Sequence, residues 1–159
     1  MTNYKEKIMI EQKLKEKGLE LPEAPKPLAA YVPATKTGNL IFTAGQIPLE
    51  NGKLKFAGKV GADLSIEDGK KAAELCLLNG LSVIKSTCGN LDNISKIVKI
   101  TVFVNSADGF VQQAQIANGA SELLVELFGE KGKHARSAVG VSELPINSAV
   151  EIELIVEVE

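Results

Sequence analysis

Tryptophan is absent from the 159-residue chain, aromatic residues make up 4% of it, and there is a single histidine. So few aromatic rings leave little on which nucleic-acid bases could stack. One histidine comes close to excluding a mixed His/Cys zinc site. Neither sign of charge dominates, with 18 Lys plus Arg against 20 Asp plus Glu and a net charge of −2. A basic stripe is therefore missing, and nucleic acid is not an expected partner. No apolar run approaches the roughly 18–20 residues of a membrane span. The N-terminus, Met1 to Lys7, is charged and is followed by no apolar h-region, so neither a signal peptide nor a membrane partner is expected. Only Cys76 and Cys88 could form a disulfide. They fall in one predicted helix about 18 Å apart along its axis, beyond the ~7 Å that a bridge spans, and read as small buried hydrophobes. These absences predict a cytoplasmic, reduced protein with no metal and no cofactor. Phosphate-binding glycine loops, a dinucleotide fingerprint, a zincin helix and a nucleophile elbow are also missing.

What is present is the composition of a globular domain: 45% hydrophobic and 24% charged residues. A chain of this size buries roughly 68–70% of its unfolded surface without staples. Residues 3–19 read as a charged helix with Ile8, Ile10, Leu14 and Leu19 as its apolar positions, Asn3 and Glu6 having N-cap spacing. Pro22, Pro25 and Pro27 end it, so residues 1–27 are expected to be an N-terminal helical extension and 28–159 a single domain. Two strands are predicted at 31–35 and 39–45 around a short loop, with a turn at Asn51-Gly52 and an ambiguous stretch at 60–63. Ser65 and Asp68 have capping-box spacing and open a helix to about Cys88, with Gly89 beyond its end. Its stripe is Ala73, Leu77, Leu81, Ile84 and Cys88, widened by Leu75 and Leu78. A β-branched run at 97–104 is the third strand. Ser106-Ala107-Asp108 is expected to cap a second helix over 110–128, bearing Ile116, Ala120, Leu123 and Leu127. After a charged loop at 129–133, strands follow at 136–141 and 150–158, joined around Leu144-Pro145. The last places Val150, Ile152, Leu154, Val156 and Val158 on one face. The order β-β-α-β-α-β-β predicts an α+β sandwich, a mixed sheet with two helices on one face. The other face then needs cover, and a homo-oligomer supplies it.

A few polar residues could carry chemistry. Arg136 opens an otherwise apolar strand; in a partly dry cleft its guanidinium would hold a carboxylate bidentately. From spacing alone, an edge arginine paired with a glutamate of the last strand is the favoured reading, since surface arginines outnumber site arginines. Glu151 shares a strand face with Glu153 and Glu157. Crowded carboxylates suit acid–base work, and a solvated sheet face accounts for the same residues. Tyr31 either presents its hydroxyl to a cleft or packs half-buried. His134 reads as a loop histidine. Asn118 is a polar residue in mid-helix beside Ala114 and Ser121, and if buried it requires a partner.

Together, Thr43-Ala44-Gly45-Gln46-Ile47-Pro48, Ile100-Thr101-Val102-Phe103-Val104, Ala135-Arg136-Ser137-Ala138-Val139, Leu144-Pro145 and Val150-Glu151-Ile152-Glu153 resemble the Rid family. These are the reactive intermediate/imine deaminases, also called YjgF or endoribonuclease L-PSP proteins. The resemblance runs from about Ala29 to the C-terminus, and the N-terminal helix looks like that of a longer-chain branch. It implies a chorismate-mutase-like fold and a homotrimer with a cleft at each subunit interface. It also implies a small carboxylic acid substrate, a 2-imino or enamine acid such as 2-aminoacrylate, hydrolysed to the keto acid and ammonia. Arg136 then matches the arginine that holds the substrate carboxylate, and Glu151 the glutamate that positions or activates water. Tyr31, Gly45 and Asn118 fall on the family's tyrosine, backbone-donor and asparagine positions. Two departures stand out: Ala138 replaces the family's cysteine and Ala44 its serine, which makes the pocket more apolar. A non-enzymatic binder of 2-keto acids using the same cleft is the alternative, and a ribonuclease fits this charge balance poorly.

Overall fold

The computed structural model describes residues 9–26 and 30–159. In chain order these form α1 (Ile10–Glu16), β1 (Ala34–Thr37), β2 (Leu40–Thr43), β3 (Leu49–Glu50), β4 (Lys53–Leu54), α2 (Ile66–Cys88), β5 (Ile94–Asn105), α3 (Gln113–Phe128), β6 (Ala135–Val141) and β7 (Val150–Val158). Five strands make one mixed sheet in the order β1-β2-β7-β5-β6, and β3-β4 is a separate small hairpin. Only β5 and β6 pair in parallel within the large sheet. The expected α+β arrangement holds, with the hairpin at Asn51-Gly52 added to it.

Alternation along the strands sorts the sheet into two faces. On β7 the residues Val150, Ile152, Leu154, Val156 and Val158 are buried beneath the helices, while Glu151, Glu153, Ile155 and Glu157 face the other way. Register carries this sorting across the sheet: Ile100 lies beside Leu154 and Val102 beside Ile152 on the helix face, Phe103 beside Glu151 on the open one. The helices answer with Leu77, Leu81 and Ile84 from α2 and Ile116, Leu124 and Leu127 from α3, all with no exposed surface. The open face keeps apolar groups unburied, since Phe42 is 39% and Val139 42% exposed.

Sequence cues set most element ends. Ser65 and Asp68 form a reciprocal capping box, the Asp68 N–H donating to Ser65 Oγ at 3.1 Å and the Ser65 N–H to Asp68 Oδ2 at 3.2 Å. The Ser65 hydroxyl, which donates to Asp68 Oδ2 at 2.8 Å, and then the Ser65 N–H hold the Asp68 carboxyl below its usual pKa. Gly89 ends α2 at φ 85°, a conformation that favours glycine. Two expectations are corrected. Strand β1 begins at Ala34 rather than residue 31, because Pro33 has no N–H to give the ladder and ends it there. Ser106-Ala107-Asp108 does not cap α3, which starts at Gln113 without a side-chain cap. The Ser106 hydroxyl donates back to Val104 O at 2.9 Å and the Ala107 N–H bonds to Val60 O at 3.0 Å, so this stretch ends the sheet and cannot cap a helix.

Of the predicted N-terminal helix, the Asn3–Glu6 cap and Ile8 lie outside the described residues. The described turns bury Ile10 and Leu14 in the core. Lys13 Nζ donates to Leu127 O at 2.8 Å, satisfying a carbonyl left open at the end of α3, and Lys85 pairs with Glu11 at 2.6 Å. Cys76 is buried and Cys88 partly so, and both are free thiols. Among the described residues no helix is long and apolar enough to cross a membrane.

Helices α2 and α3 approach so closely that a Cβ at Gly119 would overlap the Lys70 carbonyl. Gly→Ala within a helix ordinarily gains about 1 kcal/mol. Here the sign should invert: Gly119→Ala is expected to destabilise by about 1–3 kcal/mol, as overpacking does, measured by urea denaturation. An increase in stability would show that the helices do not meet as described.

Candidate functional site

The structure divides the seven sequence-nominated residues between two places. Tyr31, Ala44, Gly45 and Glu151 line one open groove of about 1290 Å³. Arg136, Asn118 and Ala138 do not line it. They sit where edge strand β6 meets α3.

The first group is assembled by β7 and the chain leaving β2. Strand β2 ends at Thr43, whose Oγ1 accepts from the Leu154 N–H at 2.9 Å, and Gln46 then bridges to Ile152. Gly45 is thereby laid against Glu151, so closely that a Cβ on it would overlap Glu151 Oε1. Only glycine leaves room for the carboxylate there. Burial, reinforced by the neighbouring Glu153 carboxylate, raises the Glu151 pKa above its ordinary value. Tyr31 stands at the rim, 59% exposed.

Pro145 completes this end of the groove. It opens a tight 3₁₀ turn in which Ile146 and Asn147 both take positive φ, 51° and 62°. That is a strained conformation for a β-branched residue. Buried Asn105 holds the turn, its Nδ2 donating to Ser148 O at 3.1 Å and to Asn147 Oδ1 at 3.3 Å, while Lys59 Nζ donates to its Oδ1 at 2.9 Å. From Glu151 the groove runs on between α2, the β3–β4 hairpin and the extended segment after α1, past Leu75, Leu78, Leu49 and Leu21. It exceeds the ~300–1,000 Å³ typical of small-ligand sites.

The second group centres on Arg136. Its Nη1 donates to Asn118 Oδ1 at 2.8 Å and to Ser121 Oγ at 3.1 Å. The edge-arginine reading, with a final-strand glutamate as partner, is not what the structure shows. Ala138 follows Arg136 on the same side of β6 and packs against the core. Two further residues join: Ser121 Oγ lies 2.9 Å from His134 Nε2, and His134 Nδ1 lies 2.6 Å from Gly132 O. His134 lies in the loop before β6, as expected, and both of its ring nitrogens tie it into the cluster. The clue was spacing, because Ser121 is one helical turn from Asn118 on α3 and His134 two residues from Arg136.

In one chain the two groups lie on opposite faces of the sheet. Strands β7 and β6 are separated by β5, and Glu151 is in register with Val139, three residues beyond Arg136. At ~4.8 Å per strand and ~3.3 Å per residue the two backbones are far beyond hydrogen-bond reach. Among the described residues no cluster of three or more His, Cys, Asp and Glu could hold a metal ion.

Residues 11–158 match the family model described as YjgF/chorismate mutase-like, putative endoribonuclease. The matched region thus begins inside α1. The chain is 40% identical to Protein TCP17 of Trypanosoma cruzi over 141 residues, covering 88% of each. It is 28% identical to a 2-iminobutanoate/2-iminopropanoate deaminase of Dermatophagoides farinae, covering 89% of this chain and 95% of the relative. A crystal structure of an Agrobacterium tumefaciens protein of unknown function superposes with a TM-score of 0.90 at 45% identity, over 94% of this chain and 92% of that one.

The raised pKa of Glu151 sets a stability prediction. Between the unfolded and the higher folded pKa the native state binds more protons than the unfolded state, so stability falls as pH rises through that window. Glu151→Gln removes this cost: it should gain stability relative to the parent at pH 7 and lose that advantage near pH 4. Denaturation at both pH values checks this, and an advantage unchanged by pH would contradict it.

Proposed function

Because the chain belongs to the YjgF/chorismate mutase-like family, we propose that it hydrolyses small 2-imino acids to 2-keto acids and ammonia in a cleft formed between copies of itself. The observation that carries this reading is the presence, on opposite faces of one sheet, of two complementary half-sites. One is an exposed guanidinium braced by Asn118 and Ser121; the other is a carboxylate of raised pKa set against Gly45. Neither half is complete in one chain. In this reading an oligomer covers the open face, with its exposed Phe42 and Val139, and brings one copy's Arg136 to another's Glu151; the family resemblance favours a homotrimer.

The chemistry needs no redox step. The guanidinium anchors the substrate carboxylate, which fixes the imine carbon beside Glu151. The Glu151 carboxylate takes a proton from water as its oxygen bonds to that carbon, then gives the proton to nitrogen. The resulting carbinolamine transfers its hydroxyl proton to nitrogen by the same relay and expels ammonia, leaving the keto acid. A carboxyl whose pKa burial raises above its ordinary value is better suited to accepting and returning protons than a free one. Tyr31 and the Gly45 backbone are the remaining polar groups proposed to face the substrate. A second reading, a binder of 2-keto acids, is favoured by Ala44 and Ala138, which supply neither hydroxyl nor thiol.

The test generates 2-aminoacrylate from serine with a dehydratase and follows pyruvate under semicarbazide competition. The parent should accelerate keto-acid release. Arg136→Ala should lose on the order of 100-fold, the worth of a bidentate charged contact, with its oligomer unchanged by light scattering. Calorimetric binding of a keto acid without turnover would support the second reading. A monomer at micromolar concentration would refute the shared cleft.

A further inference from the structure

The reading of Arg136 as a carboxylate anchor leaves open what aims it. A guanidinium carries five N–H donors, two of them on Nη1. Both Nη1 hydrogens are engaged, by Asn118 Oδ1 at 2.8 Å and Ser121 Oγ at 3.1 Å. Among the described residues the Nε–H and Nη2 donors have no partner, and together they form the side-on fork that matches a carboxylate. The polarity of Ser121 decides whether this arrangement is held. A hydroxyl that accepts from Arg136 must place its own proton elsewhere, and His134 Nε2 lies 2.9 Å away. The other ring nitrogen, 2.6 Å from the Gly132 carbonyl, can only donate there. In the neutral ring this leaves Nε2 as an acceptor. Every bond in the series Arg136, Ser121, His134, Gly132 then points one way, and Gly132 itself is buried against α3.

Resting on that reading of Arg136, we propose that Ser121 and His134 are positioning residues: their hydrogen bonds, anchored on the Gly132 carbonyl, lock the Arg136 guanidinium with its Nε–Nη2 edge presented to the substrate carboxylate. They touch no substrate themselves. Their loss should therefore weaken carboxylate binding and raise KM, leaving kcat nearly unchanged.

The test uses the full-length protein and 2-oxobutanoate as the calorimetric probe. Ser121→Ala and His134→Ala should each bind about tenfold more weakly. Ser121→Thr, which keeps the hydroxyl, should stay within about twofold of the parent, and His134→Gln, whose amide oxygen can accept at the Nε2 position but which gives up the bond to Gly132 O, should recover part of the loss. Arg136→Ala should not bind measurably. Parent-like binding by Ser121→Ala and His134→Ala, with Arg136→Ala inactive, would overturn the proposal and leave the anchor intact. Equal loss in the conservative variants would reduce the pair to a packing role and overturn it too. Parent-like binding by Arg136→Ala, or no binding by the parent, would remove the underlying reading and the proposal with it. Nitrogen-15 NMR gives a readout apart from binding, because the chain has one histidine. In the neutral ring the Nδ1–H tautomer is expected, and the Nε2–H tautomer would refute the series.

Discussion

The antiparallel pairing of β5 with β7 is the constraint on which the rest depends. It runs from Ile94 beside Val158 to Val104 beside Val150, in the middle of the sheet. Side chains alternate across a strand, so this register turns one apolar set toward α2 and α3 and the other set outward. A one-residue slip would put Glu151, Glu153 and Glu157 beneath the helices, where three buried carboxylates could not stay charged. The same alternation that buries Ile152 and Leu154 leaves Glu151 at the mouth of the groove. Core and candidate site are thus two faces of one strand.

Close approach shapes the site as much as hydrogen bonding does. Gly45 is needed because a carboxylate occupies the space of its side chain, and Gly119 because α2 and α3 meet backbone to backbone. Gly119 directly follows Asn118, so the helix contact also fixes the height at which Asn118 meets Arg136. Packing between helices and aim of the guanidinium are coupled through adjacent residues. At the other half-site, the strained Ile146–Asn147 turn sets Pro145 at the rim and is held by the buried Asn105 side chain. A polar core residue there supports a wall of the groove.

Much of the fold was legible because local signals agreed. The Ser65–Asp68 box, Gly89, the Leu77–Leu81–Ile84 stripe and the alternation of 150–158 each reported one element, and all of them held. The errors came where a tertiary partner claimed a group that looked locally committed. Ser106 had the appearance of a helix cap, yet its hydroxyl served the end of β5. At the site, Arg136 and Asn118 drew attention one by one, whereas Ser121 did not, since a serine on a half-exposed helix face has no distinguishing pattern. His134 is the loop residue that the sequence suggests, but nothing local reveals that Gly132 and Ser121 hold its two nitrogens.

The sequence by itself determined which residues face inward, because periodicity and capping act over one or two turns of chain. It also determined the family, because the Arg-Ser, Leu-Pro and Glu-Ile-Glu segments stand in this chain together and in the order on which the resemblance rests. Only the tertiary structure decided that the nominated residues form two half-sites on opposite faces of the sheet. It also decided that Arg136 points its Nη1 at Asn118 and Ser121. Those facts follow from strand order and from the crossing of α3 over β6, which bring together residues 15 and 18 positions apart in the chain. No local propensity encodes the direction of a hydrogen bond between them.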